Sequence, residues 1–167
     1  MPLHPQKIPA LAVGFIAYRE GFSPIPTDAV DGYSTVGYGH LIYYRPVNAA
    51  DRKARWVPGQ QTPGKLTKAE ARWLLRKDLR ATAKEVRRLV RVPTNKRQFS
   101  MLLSFAYNCG TGALAESTLL RELNEGNYAA VPGQLMRWVN GPAGPLPGLV
   151  KRRRREGKLF RPLHRPR

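Results

Sequence analysis

The chain is poor in residues that bind metals or form covalent cross-links: among 167 residues it has one cysteine and three histidines. A single thiol excludes an intramolecular disulfide and a cysteine-based zinc cluster. The histidines, His4, His40 and His164, are too scattered to show metal-ligand spacing. Cys109 follows an apolar helical pattern, so we expect a small buried thiol and not a nucleophile. We therefore expect no metal and no cofactor.

Long hydrophobic runs are also missing. The apolar run near the start, ALAVGFIAY, is too short to span a bilayer. It has no clear basic region before it and leads directly into Arg19 and Glu20 instead of a small-residue cleavage site. We expect no transmembrane segment and no signal peptide, so that the protein is made in the cytosol and stays there until something else releases it.

Acidic residues are scarce: 11 Asp and Glu stand against 29 Lys and Arg, which gives a formal net charge of +18. Such a field attracts polyanions, whether nucleic acid, an anionic membrane surface or an anionic cell wall. The stretch 151–167 alone carries nine Lys and Arg and one Glu, a net +8. No base-reading motif accompanies this charge, so we expect no nucleic-acid partner. A cationic protein that binds membranes or nucleic acid without catalysis is the non-enzymatic alternative.

Helical periodicity and turn residues predict one domain with two lobes. Apolar residues at helical spacing predict a first helix that ends at Glu20, with Gly21 as its stop. Thr67 and Glu70 form a capping-box pattern that opens a long helix, which Pro93 ends. The expected order within residues 1–167 is an N-terminal helix at 8–20, a small β lobe at about 21–66, a linking helix at about 67–92, a helical lobe at 93–160 and a basic tail at 161–167.

Two further segments carry local signals. Residues 48–57, NAADRKARWV, predict a short helix, and the sequence PGQQTPGK that follows predicts a loop. After Pro93 the pattern is wholly helical, with Ser117 as an N-cap, Gly126 as a stop and Pro147 at the start of the last helix. We therefore expect the larger lobe to be a helical bundle.

The segment from Glu20 to His40, EGFSPIPTDAVDGYSTVGYGH, combines a glutamate, two aspartates and two threonines with several glycines. Aromatic and β-branched residues among turn formers predict a small antiparallel sheet here. A carboxyl group entering a hairpin, with further carboxylates a few residues on, is typical of acid/base chemistry on a glycosidic bond. Taken alone, Glu20 also fits an ordinary surface residue at a helix end. The glycines do not form a phosphate loop, because the lysine that such a loop requires is missing.

This pattern resembles the phage-type lysozymes, the T-even phage lysozyme family that is also called glycoside hydrolase family 24. The family motif has a glutamate followed by glycine, an aspartate or cysteine nine residues after the glutamate, a threonine fifteen after it, and a Gly-x-Gly-His close. The matching positions are Glu20, Gly21, Thr35, Gly37, Gly39 and His40. The similarity continues through LTKAEA, SFAYNCGTGAL, STLLRELNEGNY and PGLVKRRRRE. It implies an α+β, lysozyme-like fold, with a small antiparallel β-sheet lobe and a larger all-helical lobe joined by a long helix.

The resemblance implies an endolysin that hydrolyses the β-1,4 bond between N-acetylmuramic acid and N-acetylglucosamine in bacterial peptidoglycan and so lyses the host cell. Glu20 is then the general acid. Where the family usually carries its second acidic group, nine residues after Glu20, this chain has Ala29. Asp28 lies one residue early and Asp31 two residues late, and we favour Asp28 with Asp31 as the alternate. Thr35 is expected to hold the attacking water with that aspartate, which gives inversion at the anomeric carbon.

The resemblance also implies substrate contacts at Gly39, His40, Tyr107 and Asn108, although core packing accounts for Tyr107 equally well. A lytic transglycosylase that uses Glu20 as its only catalytic carboxyl is the enzymatic alternative. The expected partners are bacterial peptidoglycan and, through the basic C-terminal region, anionic outer-membrane or wall polymers. We expect a monomer that remains in the host cytoplasm until release and then acts on the cell wall in the periplasm.

Overall fold

The computed structural model describes residues 7–28, 32–57, 60–63 and 65–162, with the backbone alone described for 54–57 and 60–63. The chain divides into two compact units. We call residues 13–80 the sheet unit, and the residues up to 12 together with those from 81 onwards the helical unit.

The sheet unit begins in helix α1, Ala10–Glu20, and continues into a three-stranded antiparallel sheet. Its strands are β1, Ser23–Asp28, β2, Ser34–Gly37, and β3, His40–Tyr43, in the order β1-β2-β3. Helix α1 ends where Gly21 adopts a φ of 75°, as the sequence predicts. At Gly37, φ is 69° and an added Cβ would lie 3.1 Å from the Cβ of Ala71, so this strand end requires glycine.

The segment after this sheet differs from its prediction. Helix α2 covers only Ala49–Lys53, and strand β4, Ala54–Val57, follows it directly. It pairs antiparallel with β5, Gln60–Pro63, where the sequence predicts a loop. The sequence does not reveal this change, because the charged run at 52–55 is compatible with a helix. The signal for a hairpin is the Pro-Gly pair that separates the two short runs.

Helix α3 covers Lys68–Leu89 and contains residues of both units. Its capping box forms as predicted: Glu70 N donates to Thr67 Oγ1 at 3.2 Å, and Thr67 N donates to Glu70 Oε2 at 2.8 Å. The helix ends before residue 92, because Asn124 caps it. Asn124 Nδ2 donates to Leu89 O at 3.0 Å, and Asn124 Oδ1 accepts from Arg91 N at 2.8 Å.

The helical unit continues with helices α4, Lys96–Cys109, α5, Thr111–Glu116, α6, Thr118–Asn124, α7, Val131–Leu135, and α8, Pro147–Phe160. Ser117 caps α6 through its Oγ, which accepts from Leu120 N at 3.1 Å, and Pro147 opens α8 as predicted. The unit is not wholly helical, since two-residue strands β6, Asn140–Gly141, and β7, Gly144–Pro145, form a small hairpin. The short helix α5 was not predicted.

These elements make the protein α+β, with a small antiparallel sheet and a larger, mainly helical part. Apolar side chains of α4, α6 and α8 form the buried core of the helical unit, including Phe99, Leu102, Phe105, Leu119, Leu123 and Phe160. Within the part of the chain that the structure describes, none of the helices combines the length and the apolarity that crossing a membrane requires.

Candidate active site

Glu20 is the last residue of α1, and its side chain is exposed. The chain that leaves it is fixed by aromatic packing: the rings of Phe22 and Tyr38 lie 5.5 Å apart, and the Lys68 ammonium lies 5.9 Å from the Phe22 ring centre. Tyr38 is only 7% exposed. A helix end, a left-handed glycine and a packed aromatic ring thus hold the carboxyl-bearing residue at the edge of the sheet unit.

Thr35 lies on the central strand of the same unit. On β2 the side chains of Ser34 and Val36 are buried, whereas Thr35 between them is only partly buried and points to the opposite face. Thr35 pairs with Thr27 of β1 and with Leu41 of β3. The central position in the sheet fixes the backbone that carries this hydroxyl group.

Asp28 lies at the end of β1, where its carboxylate is held by the segment that follows the sheet. One oxygen accepts from Val47 N at 2.7 Å, and the other from Arg52 Nη2 at 3.3 Å. The side chains of Asp28 and Arg52 are 41% and 48% exposed. The alternate carboxylate, Asp31, lies outside the described residues, as does Ala29.

His40, a predicted substrate contact, has a partner that the sequence did not reveal. Its Nδ1 lies 2.8 Å from Oδ2 and 3.0 Å from Oδ1 of Asp78 on α3. Carboxylate oxygens accept hydrogen bonds, so Nδ1 is the ring nitrogen that donates to Asp78. The two side chains are 15% and 25% exposed. This contact ties strand β3 to helix α3 within the sheet unit.

In the helical unit, Tyr107 and Asn108 lie in the last turn of α4, with Tyr107 half-buried and Asn108 exposed. The amide oxygen of Asn108 accepts a hydrogen bond from Arg153 Nη2 on α8. Because that bond uses Oδ1, it orients the amide and leaves Nδ2 as the donor. The partner that an amide late in an apolar helix requires is therefore an arginine.

Arg153 belongs to a buried ionic cluster that we define as Ser104, Arg152, Arg153 and Glu156. Glu156 Oε1 accepts from Ser104 Oγ at 2.6 Å and from Arg152 Nε at 3.3 Å, and Oε2 accepts from Arg153 Nη1 at 2.6 Å. Arg153 and Glu156 are both 0% exposed. The run KRRRRE is therefore not a uniformly solvated basic surface. The spacing of three and four residues from the arginines to Glu156 was the available signal.

Cys109 follows directly after this site and is half-buried, not fully buried as expected. Its Sγ lies 3.0 Å from Arg153 Nη2. Burial raises the pKa of the Cys109 thiol, and the nearby guanidinium group of Arg153 only partly offsets that effect. A thiol with a raised pKa is a poor nucleophile at neutral pH. Among the side chains that the structure describes, no group of three or more His, Cys, Asp or Glu residues is arranged to hold a metal ion.

Comparisons with known proteins show which family the chain resembles in sequence and in fold. The family model described as phage lysozyme matches residues 17–156. An endolysin of Bacillus phage B103 is 36% identical over 141 residues, which cover 84% of this chain and 47% of that protein, so the chain spans about half its length. A P22 lysozyme variant has a TM-score of 0.76 and 29% identity, covering 96% of this chain and 98% of its own. The muramidase domain of SpmX from Asticaccaulis excentricus has a TM-score of 0.75 and 28% identity, covering 93% and 97%.

Proposed function

The chain belongs to the phage lysozyme family, and from that premise we propose that it is an endolysin that hydrolyses the β-1,4 bond between N-acetylmuramic acid and N-acetylglucosamine in bacterial peptidoglycan. Relatives named endolysin and muramidase support this activity. The observation that carries it is the position of Glu20 at the end of α1, in the same unit as a three-stranded sheet whose central strand presents Thr35.

In the proposed mechanism Glu20 protonates the leaving oxygen while an aspartate and Thr35 hold a water molecule on the opposite face of the sugar. An inverting enzyme of this kind needs roughly 6.5 to 9.5 Å between the two carboxyl groups, which leaves room for the water. The Thr35 hydroxyl both donates and accepts, so it can orient the water toward the anomeric carbon. The product then has the inverted anomeric configuration.

We favour Asp28 for the second carboxylate and keep Asp31 as the alternate. A carboxylate offers about four acceptor positions, and Val47 N and Arg52 Nη2 occupy one on each oxygen of Asp28. Acceptor capacity therefore remains for a water molecule. The same two contacts restrain the side chain, which favours a fixed position for the base over a mobile one.

The substrate contacts that we propose are Gly39, His40, Tyr107 and Asn108. Asn108 is the best supported of these, because Arg153 holds its amide oxygen and leaves the Nδ2 group to donate to a sugar hydroxyl or acetamido oxygen. The contact between His40 Nδ1 and Asp78 orients the imidazole ring. Such fixed polar groups are what a polar substrate needs for orientation.

The decisive experiment measures reducing ends released from purified cell wall by the wild type and by Glu20→Gln, Asp28→Asn, Asp31→Asn and Thr35→Ala. We expect Glu20→Gln to lose activity at least 100-fold, since general acid catalysis typically contributes about 10²- to 10⁴-fold. One of the two aspartate variants should fall by a similar factor and the other should not. Glu125→Gln, at an exposed position, is the matched control.

A lytic transglycosylase is the competing enzyme, because it needs a general acid but no carboxylate to position water. It would leave anhydro-muramyl ends in place of reducing ends, and both aspartate variants would stay active. That result would overturn the hydrolytic mechanism while leaving Glu20 as the acid. Substantial activity in Glu20→Gln would contradict both the hydrolase and the transglycosylase mechanism, because each uses Glu20 as the general acid.

We further propose that the basic C-terminal region recruits the enzyme to anionic outer-membrane or wall polymers. Burial of Arg152 and Arg153 leaves Lys151, Arg154, Arg155 and Lys158 as the exposed cations of α8. Replacement of Lys151, Arg154 and Lys158 by glutamine should spare hydrolysis of purified peptidoglycan and weaken action on intact cells. Truncation after Phe160 tests the tail in the same two assays. Equal losses in both assays would contradict recruitment.

The remaining proposals concern assembly and location. We propose a monomer that binds no nucleic acid, stays in the host cytoplasm until release and then reaches the wall from the periplasmic side. The elution volume of the full chain in gel filtration tests whether it is a monomer. The proposal that the protein binds no nucleic acid would be contradicted if a DNA column at about 150 mM salt retained it more strongly than a protein of equal charge.

A further inference from the structure

Two exposed tyrosines form a pair at one end of the three-stranded sheet. The rings of Tyr33 and Tyr44 lie 5.4 Å apart and meet edge to face at 79°. Tyr33 is 40% exposed and Tyr44 is 80% exposed. An edge-to-face pair covers at most one face of either ring, so Tyr44 keeps a ring face for another molecule.

Strand register places this pair on the same side of the sheet as Thr35. The register of β2 and β3 shifts between Ser34 and Thr35, and Ser34 then pairs with Tyr43. Tyr33 and Tyr44 are the next residues along the chain on either side of that pair, just outside the two strands. Side chains alternate along a strand, and Ser34 is 0% exposed between the two more exposed residues. Tyr33 and Thr35 therefore share a face and lie about 7 Å apart along the strand.

The backbone beneath Tyr44 is held in place by the residue that follows it. The carbonyl oxygen of Arg45 accepts from Ser34 Oγ, and the Arg45 guanidinium lies 4.3 Å from the ring centre of Tyr43. The same guanidinium binds both carboxylate oxygens of Asp51, at 2.6 Å and 3.2 Å. These contacts fix the main chain on both sides of Tyr44, so its ring is a preorganised surface and not part of a loose loop.

We propose that Tyr33 and Tyr44 form an additional sugar-binding subsite, continuous with Thr35, which stacks on a pyranose ring of the glycan strand. This inference rests on the proposed function and extends it along the substrate. One face of a pyranose presents C–H groups, which suit the electron-rich face of an aromatic ring. The pair is uncharged, so its ligand is the sugar and not a phosphate polymer.

The first test separates binding from chemistry in kinetics on solubilised peptidoglycan. We expect Tyr44→Ala and Tyr33→Ala to raise KM about threefold to tenfold and to leave kcat within twofold, the size expected for one aromatic stacking contact. Tyr44→Phe should keep the wild-type KM, because it retains the ring. Trp73→Ala is the matched control, since Trp73 is 52% exposed on α3 of the same unit. Thermal unfolding of each variant checks that the fold is intact.

The second test is binding of an N-acetylglucosamine hexamer and trimer to Glu20→Gln, followed by amide chemical shifts. The hexamer should shift Tyr33, Thr35 and Tyr44, and Tyr44→Ala or Tyr44→Ser should remove the advantage of the hexamer over the trimer. If the wild type releases reducing ends while both tyrosine variants keep its KM, the subsite is wrong and the proposed function stands. If the wild type releases none, the proposed function is wrong, and unshifted Tyr33 and Tyr44 amides would then overturn the subsite as well.

Discussion

Two charged pairs, one in each unit of the chain, lie in opposite surroundings. In the sheet unit, Asp28 and Arg52 meet at 3.3 Å with side chains that are 41% and 48% exposed. In the helical unit, Arg153 and Glu156 meet at 2.6 Å with no exposed surface on either side chain. Asp28, the favoured second carboxylate, belongs to the exposed pair.

This contrast in exposure predicts where substitutions should affect stability and where they should affect activity. An exposed ion pair contributes only about 0 to 1 kcal/mol, because water and salt screen it. Removing one partner of a buried pair costs several kcal/mol, because the remaining charge stays in a low-dielectric interior. Changes to the buried pair of Arg153 and Glu156 should therefore reduce stability, whereas changes to the exposed pair of Asp28 and Arg52 should leave stability nearly unchanged and reveal any effect on catalysis.

The largest expected effect comes from Glu156→Gln. This change leaves the buried guanidinium groups of Arg152 and Arg153 without a carboxylate, and we expect a loss of about 3 to 5 kcal/mol in the free energy of unfolding. Urea unfolding followed by circular dichroism measures it. The control is Glu125→Gln, an exposed position, where the change should stay within about 0.5 kcal/mol. A loss below about 1 kcal/mol in Glu156→Gln would contradict the contrast between the buried and the exposed pair.

An intermediate effect is expected from the half-buried pair His40 and Asp78. Their side chains are 15% and 25% exposed, between the two extremes. A double-mutant cycle of His40→Ala and Asp78→Ala should give a coupling energy of about 1 to 2 kcal/mol, typical of a hydrogen bond to a charged group. The cycle cancels the effect of alanine on the propensity of α3. Coupling near zero would mean that the 2.8 Å contact does not stabilise the sheet unit.

Local signals in the sequence predicted those parts of the fold that short segments determine by themselves. The capping box at Thr67, the stop at Gly21 and the start at Pro147 each depend on residues within one helical turn, and all three occur as predicted. The hairpin of β4 and β5 was missed because a charged, helix-compatible run continues into β4. Whether such a run forms a helix or a strand depends on its pairing with another strand, and the periodicity of the sequence does not reveal that pairing.

The candidate site shows the same division. Its motif residues, Glu20 and Thr35, were predicted from the resemblance to the family motif, which lies within one short segment of the sequence. The sequence did not reveal the groups that position the candidate substrate contacts, because they are distant along the chain. Asp78 lies 38 positions from His40, and Arg153 lies 45 positions from Asn108. Arg152 and Arg153 belong to the basic C-terminal region that was expected to bind anionic polymers, yet both are buried. Glu156 lies three and four residues away on the same helix, whereas only the tertiary structure brings Ser104 of α4 against Arg152 and Glu156.

A smaller effect with a defined pH dependence is expected from Asp51→Asn. Hydrogen bonds from the Arg45 guanidinium hold the pKa of Asp51 below its usual value, with help from Asn48 N. A depressed folded-state pKa gives stability that is present above the unfolded pKa of about 3.9 and is lost as the pH falls through the folded pKa. The difference in melting temperature between wild type and Asp51→Asn should thus be constant from pH 7 to about 5 and shrink below about 4. A difference that grows below that pH would contradict the assignment.

The smallest effect on stability, and the sharpest test of the contrast, is expected from Arg52→Gln. The pair with Asp28 is exposed on both sides, so the free energy of unfolding should fall by about 0.5 kcal/mol or less, and 0.5 M salt should remove the difference. Activity on purified cell wall gives the second reading. If Asp28 positions the water, Arg52→Gln releases one of the two restraints on its carboxylate, and kcat should fall less than tenfold while Asp28→Asn falls at least 100-fold. If Arg52→Gln and Asp28→Asn both keep wild-type activity, the carboxylate of Asp28 serves only to hold the segment from Val47 to Arg52. Another group must then position the water.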